Sequence, residues 1–257
     1  MNFIKPKKSL GQHFLTDKNV AKKITESLKS KTKNVLEIGP GTGILTSFLL
    51  KKKYNLILVE IDYESVAFLI NSLLVDEKII IKKDFLKLDI STIFSGNNFS
   101  IIGNFPYNIS SQIIFKIIEN KQFVSEMCGM FQLEVAKRIC EKPGTKVYGI
   151  LSVLTQAFFE TNFLFTVSKN LFYPVPNVES AVISLKRREN FYLQCNELLF
   201  FRVVKLSFQQ RRKKVRNSLK TLNLSNNLRE DAIFDKRPEQ LSVNDFIKLT
   251  CSIENDI

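Results

Sequence analysis

A tetrapeptide in the middle of the chain has the composition of a site for chemistry on a nucleobase. It comprises Asn104, Phe105, Pro106 and Tyr107, and it directly follows a predicted strand that ends at Gly103. The side-chain carbonyl of Asn104 and the backbone carbonyl of Phe105 can accept both hydrogens of an exocyclic amine. Pro106 fixes the turn and adds no competing N–H, and Tyr107 can stack on an extruded base. The alternative interpretation is an ordinary turn with a buried tyrosine.

Two carbonyl acceptors would solve an electronic problem of such amines. The lone pair of an adenine amine is delocalised into the ring, so the amine is a poor nucleophile. Acceptors that hold both N–H hydrogens favour a pyramidal nitrogen and return the lone pair toward a methyl donor. A sulfonium donor is a good leaving group and the methylated product is acidic, so alignment and electrostatics can carry the rate without a general base. We therefore predict methylation of a base amine.

The composition of the chain argues against several other classes of protein. Its single histidine, His13, nearly excludes Ser-His-Asp and Cys-His nucleophile systems and sites with several histidine ligands. The four cysteines are widely spaced and form no CxxC pair, so we expect neither disulfides nor a bound metal. The sequence lacks both an apolar segment long enough to span a membrane and the apolar block of a signal peptide. We expect a cytoplasmic protein.

Further positions match the needs of a ligand that contains a nucleoside. Gly39 and Gly41 lie between a predicted strand and a predicted helix, where glycine lets the backbone approach a ligand closely. Glu60 ends the next strand and can accept the hydroxyls of a ribose. Asp84 ends the third strand and can accept a hydrogen bond from an adenine amine. A structural turn, a pyridine dinucleotide and a helix-capping Asp84 are the alternatives, but no dinucleotide fold needs the Asn104–Tyr107 turn.

Alternating strands and helices must position these residues. This rhythm predicts an α/β fold with a doubly wound parallel sheet. Ligands of such sheets bind at the carboxyl ends of the strands, which is where the candidate residues lie. The predicted strands are 35–38, 56–61, 79–82 and 100–103, and the predicted helices are 16–30, capped by Thr16, 45–52 and 63–74.

The second half of the chain changes character near residue 186. Before that point the pattern predicts helices over 122–140 and 149–159 and strands over 163–168 and 181–186. After it, only short helical patterns with polar joints follow. We therefore place a domain boundary near residue 186, with an α/β domain over 1–186 and a region of short helices over 187–257.

Positive charge is concentrated in two segments of the chain. Residues 1–33 hold nine lysines against two acids, and residues 186–220 hold eleven lysines or arginines against two acids. The rest of the chain is slightly acidic, although the net charge is +13. Such segregation favours contact with a nucleic acid over a merely solvated surface or a membrane surface. The residues predicted to make these contacts are Lys7, Lys8, Arg211, Arg212, Lys213, Lys214 and Arg216.

Several segments along nearly the whole chain match the motifs of one protein family. Residues 10–15 resemble its GQxFL motif, with His13 in place of the usual Asn. Residues 39–43 resemble its donor-binding loop, and residues 172–180 resemble its FxPxPxVxS element. Residues 207–219 resemble the FxQRRKxxRNSL stretch of its C-terminal domain. Together with the Asn104–Tyr107 turn, these motifs resemble the KsgA-type (RsmA-type) family of small-subunit ribosomal RNA adenine N6,N6-dimethyltransferases.

The resemblance implies a Rossmann-like methyltransferase domain that binds S-adenosylmethionine, and a small all-α domain that helps to grip ribosomal RNA. It implies a monomer that dimethylates two adjacent adenosines near the 3′ end of 16S ribosomal RNA in a partly assembled 30S subunit, without a metal. The positions implied for the donor are His13, Leu15, Gly39, Gly41, Glu60, Ile61, Asp84, Phe85 and Asn104. Those implied for catalysis are Asn104, Pro106, Tyr107 and Phe172, where Phe172 would stack on the target adenine opposite Tyr107.

Two other functions stay open on the sequence. The erythromycin-resistance methyltransferases, which modify a large-subunit adenine, share the loop and the Asn-x-Pro-Tyr turn. The motifs at 172–180 and 211–219 favour the small-subunit family instead. A ribosome-assembly or RNA-binding factor that has lost catalysis is the other alternative, and the intact turn argues against it.

Overall fold

The computed structural model describes residues 4–29 and 31–256, which form two units. The first unit extends to Ala136 and also includes Asn162–Arg187, and the second comprises Lys137–Thr161 and the chain from Arg188 onward. The second unit therefore includes 137–161, which precede the predicted boundary. Residue 30, the predicted end of the first helix, lies outside the described residues, as do 1–3 and 257 at the ends of the predicted domains.

Strands and helices alternate through the first unit. In chain order the described strands are β1 (Phe14–Leu15), β2 (Asn34–Ile38), β3 (Asn55–Val59), β4 (Ile80–Ile81), β5 (Phe99–Asn104), β6 (Val124–Gln132), β7 (Phe159–Val167), β8 (Phe172–Tyr173) and β9 (Ser180–Arg187). The helices are α1 (Lys18–Ser27), α2 (Thr46–Leu49), α3 (Tyr63–Leu73), α4 (Ser110–Glu119), α5 (Leu133–Cys140), α6 (Ile150–Phe158), α7 (Glu197–Gln209), α8 (Val215–Ser218), α9 (Asn226–Arg229) and α10 (Val243–Glu254). None of these helices in the described part of the chain combines the length and the apolarity that a membrane span needs.

Seven of the strands form one sheet in the order β4-β3-β2-β5-β6-β9-β7. The strands from β4 to β6 pair in parallel, and β9 pairs antiparallel with β6, so that Met127 lies opposite Leu185. Because β2 lies between β3 and β5, the chain leaves β2 on one side and returns on the other, which opens a crevice at the carboxyl ends of the strands. The predicted α/β, Rossmann-like fold is confirmed, with a mixed sheet rather than a fully parallel one.

Helix α1 covers part of the core of the first unit. Ala21 and Ile24 are buried in the same hydrophobic cluster as Val35 of β2. The predicted cap at Thr16 is wrong, because Asp17 accepts the hydrogen bond from the backbone N–H of Val20 at 2.8 Å. The Thr16 hydroxyl instead donates to the carbonyl oxygen of Leu171 at 2.9 Å, outside the helix.

The prediction of a helix over 122–140 is wrong for its first half. Residues 124–132 form β6, between the parallel β5 and the antiparallel β9, and the helix begins only at Leu133. Most of β6 is buried on both faces, so its apolar residues do not alternate with polar ones. A continuous apolar segment of this kind fits a buried strand and a buried helix equally well, and only the neighbouring strands distinguish the two.

The second unit contains a helical core. Helix α7 buries Phe200, Val203 and Val204, and α10 begins with a capping box in which Ser242 and Asp245 satisfy each other's backbone N–H groups. The rings of Phe208 and Phe246 lie 5.9 Å apart between these helices. Strand β9 ends at Arg187, and the described residues from 188 to 256 contain helices and no strand, which confirms the predicted all-α C-terminal region.

We expect Gly129→Ala to destabilise the protein by about 1–3 kcal/mol. A Cβ at Gly129 of β6 would lie 2.1 Å from Cε2 of Phe105, whose ring is held in the core. Urea denaturation followed by circular dichroism measures the change. The control Gly149→Ala places its Cβ 4.0 Å from the Val147 carbonyl oxygen, so its loss should stay below about 1 kcal/mol. Equal losses in the two variants would show that Gly129 has no special packing role.

Candidate active site

A pocket lies where β2, β3 and β5 end in the first unit. Its wall combines the N-terminal segment 9–14, the loop after β2, the ends of β3 and β5, and residues 83–86. Two predicted site residues, Leu15 and Phe172, do not line it and belong to the hydrophobic core. The structure brings together ten others: His13, Gly39, Gly41, Glu60, Ile61, Asp84, Phe85, Asn104, Pro106 and Tyr107.

The loop after β2 adopts a backbone conformation that requires glycine. Gly41 and Gly43 have φ angles of +55° and +72°, which side chains other than hydrogen rarely tolerate. A Cβ at Gly41 would lie 2.9 Å from Cε1 of Phe14, and a Cβ at Gly43 would lie 2.2 Å from Cδ1 of Leu73. Both the backbone angles and the lack of space for a Cβ therefore require glycine at these two positions of the loop.

Glu60 is the most strongly held acid of the pocket. Its side chain accepts hydrogen bonds from three backbone N–H groups, those of Ile61 at 2.8 Å, Asp62 at 2.9 Å and Gly41 at 3.1 Å. Only 5% of the residue is exposed. Burial raises the pKa of Glu60, and the three N–H groups oppose that rise. The hydrogen bonds join the end of β3 to the glycine loop and fix the orientation of the carboxyl group.

Glu37 of β2 is a buried acid that the sequence analysis did not select. Its Oε2 accepts a hydrogen bond from the hydroxyl of Thr46 at 2.8 Å. Burial raises the pKa of Glu37 to about 8, the Thr46 hydrogen bond opposes the shift, and the nearby Glu60 carboxylate adds to it. The signal in the sequence was an acid within the apolar segment of β2, because a charge there must be paired or neutralised.

Asp84 caps a short turn, which is one of the two roles that the sequence left open, and its contact with an adenine amine stays a prediction. One carboxylate oxygen, Oδ1, caps a short turn by accepting from the backbone N–H of Leu86 at 2.9 Å. The residue also lines the pocket beside the buried side chain of Phe85. The capping bond uses Oδ1 and holds the carboxylate in place at the pocket wall.

The amide of Asn104 is oriented by the N-terminal segment. Its Nδ2 donates a hydrogen bond to the backbone carbonyl oxygen of His13 at 2.9 Å. This bond uses one of the two amide hydrogens and orients the side chain, and no described residue donates a hydrogen bond to the side-chain oxygen, which stays open to a ligand. The next residue, Phe105, is 1% exposed, and its ring lies 4.8 Å from that of Phe131. This packing anchors the turn that Pro106 continues.

The side chain of Tyr107 contacts two residues, Ser180 and His13. Its hydroxyl forms a hydrogen bond with Oγ of Ser180. Its ring stacks on the imidazole of His13, with centroids 5.4 Å apart and an interplanar angle of 25°. The Nδ1 atom of His13 lies 2.8 Å from the carbonyl oxygen of Pro174. The side chain at position 13 therefore contacts the predicted stacking residue, whereas its backbone orients Asn104.

The ribbon formed by β1 and β8 accounts for the two predicted residues outside the pocket. Leu15 is paired with Phe172, and Phe14 with Tyr173. Leu15 and Phe172 face the core, where Phe172 is 3% exposed, whereas Tyr173 is 62% exposed. In this conformation Phe172 has no free face for a base. Stacking by Phe172 and donor contact by Leu15 stay predictions that would require movement of the ribbon or contact through its backbone.

Asp62 fastens the N-terminal segment to the first unit. Its buried carboxylate accepts hydrogen bonds from Nε2 of Gln12 at 2.9 Å, from Oγ of Ser65 at 3.1 Å, and from the ammonium group of Lys7. Burial opposes ionisation of Asp62, but the bonds from Gln12 and Lys7 outweigh it and lower its pKa. Of the two lysines predicted to contact nucleic acid here, Lys7 is thus already paired, and the exposed Lys8 has no ion pair among the described residues.

The basic segment 211–216 of the second unit is partly engaged within that unit. Lys214 and Arg216 both pair with Asp235, each at 2.8 Å. Arg211 donates to the carbonyl oxygen of Thr145 at 3.0 Å. The cations at 212 and 213 are exposed and have no hydrogen bond or ion pair from their side chains within the described part of the chain.

A family model and several known proteins are similar to this chain. The model for ribosomal RNA adenine dimethylase matches residues 4–254. Ribosomal RNA small subunit methyltransferase A of Flavobacterium johnsoniae is 58% identical over 258 residues, which cover 100% of this chain and 98% of that protein. The crystal structure of a dimethyladenosine transferase from Plasmodium falciparum has a TM-score of 0.81 and 26% identity, and the match covers 95% of this chain and 98% of that one. The 23S rRNA methyltransferase ErmE has a TM-score of 0.68 and 25% identity, with coverage of 93% and 99%.

Glu37 should make the stability of the protein fall as pH rises. Its folded-state pKa of about 8 lies above the unfolded value of about 4.3, so between these values the folded state binds more protons. This group alone should lower the free energy of unfolding by up to about 1.4 kcal/mol per pH unit over that window. Glu37→Gln removes the titration and leaves an amide oxygen for Thr46 to donate to.

Urea denaturation of parent and variant at several pH values checks this expectation. The control Glu119→Gln changes an exposed acid and should keep the parental pH slope. Identical slopes for the parent and Glu37→Gln would contradict the assignment.

Proposed function

This chain belongs to the ribosomal RNA adenine dimethylase family, and from that membership we propose its reaction and its substrate. We propose that it dimethylates the N6 amines of two adjacent adenosines near the 3′ end of small-subunit ribosomal RNA, with S-adenosylmethionine as donor. The observation that carries this proposal is the orientation of Asn104. Its amide nitrogen is bound by the His13 carbonyl at 2.9 Å, in the same pocket as the buried Glu60.

The residues of the pocket fit the parts of S-adenosylmethionine. When bound, this donor supplies an electrophilic methyl group on a sulfonium. Glu60 is oriented to accept the hydroxyls of a ribose, and Gly41 brings the loop backbone to the pocket wall, where its N–H holds Glu60. Asp84 and Phe85 would hold the adenine ring, the acid by accepting from its amine and the phenyl group by apolar contact. Gly39 and Ile61 complete the wall, and the backbone at His13 would face the amino-acid part.

The turn after β5 is suited to activate the amine of the target base. The Asn104 side-chain oxygen and the Phe105 carbonyl are two acceptors for the two N–H hydrogens, and they favour the pyramidal nitrogen that a nucleophile needs. Pro106 adds no N–H donor to this turn. The product cation is acidic and loses its proton to water, so no residue has to act as a base.

Tyr107 would hold the ring of the extruded adenine by stacking. Its hydroxyl is tied to Ser180, which keeps the phenol ring from turning. Burial raises the pKa of Tyr107, so the ring stays neutral in the physiological range. His13 covers part of the Tyr107 ring in the described conformation, so the base either displaces the imidazole or stacks beside it.

The substrate class rests on the charge of the chain and on its relatives. The exposed cations of the basic segment are suited to phosphate contacts. The name of the Flavobacterium johnsoniae protein refers to the small subunit, whereas the structurally more distant ErmE refers to 23S rRNA. This difference favours the small subunit over the erythromycin-resistance activity. A partly assembled 30S subunit as the substrate, a monomeric enzyme and a cytoplasmic location stay predictions.

Removal of the Asn104 amide should abolish most methyl transfer. We expect Asn104→Ala to lower the rate of transfer from labelled S-adenosylmethionine to undermethylated small subunits by at least about a hundredfold. Donor affinity, measured by calorimetry, should change much less. The matched control Asn170→Ala removes an exposed amide outside the pocket and should retain the parental rate. Unchanged incorporation by Asn104→Ala would refute the proposed site. Absence of incorporation by the parent would favour the non-catalytic RNA-binding factor.

The exposed cations of the basic segment should act on RNA and not on the donor. Arg212→Gln and Lys213→Gln should each reduce the slope of log affinity against log salt concentration for small-subunit RNA by about one. Donor affinity should remain at the parental value. Lys53→Gln, which removes an exposed lysine of the first unit, serves as the control. An equal loss of donor and RNA binding would show that the segment is structural.

A further inference from the structure

We propose that the second unit carries a further binding site, a groove that holds one nucleotide of single-stranded ribosomal RNA. Tyr192 would stack on the base, and Arg188 and Lys248 would contact the flanking phosphates. This inference rests on the proposed function in taking RNA as the substrate. It concerns residues that lie outside the catalytic pocket and outside the basic segment 211–216.

The groove is a concave surface built entirely from residues of the second unit. It encloses about 640 Å³, within the range of small-molecule sites of about 300–1,000 Å³. Ala157, Val243 and Ile247 contribute apolar surface to it, and no Asp or Glu occurs among the described residues that line it. A lining with cations, amides and apolar surface but no acid suits an anionic ligand with a planar apolar part.

Tyr192 provides the planar surface. Its side chain is 77% exposed and lines the groove, so most of the ring surface is accessible to a ligand. The ring is supported from behind by Phe191, with ring centroids 4.5 Å apart and an interplanar angle of 28°. Because Phe191 holds the ring in place, one face of Tyr192 remains for a base, and such stacking does not depend on base identity.

Arg188 is held in a position from which it can bind phosphate. Its backbone N–H donates to the carbonyl oxygen of Phe158 at 2.9 Å, and its Nε donates to the carbonyl oxygen of Gln156 at 3.0 Å. These two bonds fix the side chain but leave the terminal guanidinium nitrogens without a partner among the described residues. A guanidinium group presented in this way can form paired hydrogen bonds to phosphate oxygens.

Lys248 supplies the second cation of the groove. It is exposed on α10, and its charge helps to lower the pKa of Asp245. The Asp245 carboxylate is occupied in the cap of α10, where one oxygen accepts from both the hydroxyl and the backbone N–H of Ser242, at 2.7 and 2.9 Å. Lys248 therefore forms no ion pair within the described chain and keeps its charge available.

The amide side chains of the groove are suited to the edge of a base. Asn190, Gln194 and Asn244 line it, and their side chains form no hydrogen bond with other described residues. Amides offer both donors and acceptors, as the edges of single-stranded bases require. A membrane surface is less suitable because these polar groups would be buried without partners, and a peptide partner would not account for the supported aromatic face beside two cations.

The test measures binding of a fluorescein-labelled oligouridylate of about twelve nucleotides to the full-length chain. This probe contains no adenine, so it does not report on the proposed methylation site. We expect Tyr192→Ala to weaken binding by about tenfold, whereas Tyr192→Phe retains the parental affinity because the ring is kept. Arg188→Gln and Lys248→Gln should each reduce the salt slope by about one. Lys205→Gln, on an exposed position of α7 outside the groove, should keep the parental slope. Thermal denaturation confirms that the variants are folded.

Three outcomes would contradict the proposal that the groove binds single-stranded RNA. These are parental affinity in Tyr192→Ala, an equal loss in Tyr192→Phe, and competition by an RNA duplex as effective as that by the single strand. Methyl transfer to undermethylated small subunits separates this inference from the proposed function. If the groove binds RNA as proposed, Tyr192→Ala raises the KM for subunits and leaves kcat unchanged. A parent that binds oligouridylate through Tyr192 but transfers no methyl group would support the groove while the proposed reaction fails.

Discussion

The close packing of Phe105 against two glycines is the constraint on which the candidate active site depends. A Cβ at Gly103 would lie 2.8 Å from this ring and 2.7 Å from the carbonyl oxygen of Ile38, and a Cβ at Gly129 would lie 2.1 Å from the ring. The absence of both side chains lets the ring pack over the adjacent Gly103 and Gly129 of β5 and β6, next to Phe131. Buried packing of this density tolerates little displacement. The direction in which the chain leaves β5, and with it the position of Asn104, follows from that fit.

Three buried carboxyl groups near the carboxyl ends of β2 and β3 accept hydrogen bonds that hold neighbouring segments in place. Glu37 accepts from one hydroxyl, Glu60 accepts from three backbone N–H groups, and Asp62 accepts from Gln12, Ser65 and Lys7. Glu37 connects β2 to the start of α2 across the glycine loop, Glu60 binds the loop at Gly41, and Asp62 binds Gln12 and Lys7 of the N-terminal segment. Because an unpaired buried charge is costly, these bonds keep the glycine loop and the N-terminal segment in place around the pocket.

In the proposed function, the two units would provide different kinds of contact. The first unit offers a deep pocket with fixed acceptors, which suits selection of one base and one donor. The second unit offers cations, amides and an exposed aromatic ring, which suits contact with backbone and unpaired bases. Internal pairing reduces the number of cations that are free to bind a ligand, since Lys214 and Arg216 share Asp235. Charge counted along the sequence therefore overstates the charge that a ligand meets.

The sequence by itself determined the elements whose signals are local. The strands that precede Glu60 and include Asn104, and the glycine loop at 39–43, were predictable because the residues that carry them are neighbours in the chain. The chemistry of the Asn104–Tyr107 turn stays a prediction. Tertiary structure decided what depends on distant partners. Residues 124–132 form a strand because β5 and β9 pair with it on either side. Phe172 lies in the core, paired with Leu15. Lys7 forms an ion pair with Asp62. Local propensity cannot specify such outcomes, because burial and pairing are set by residues that meet only in the folded chain.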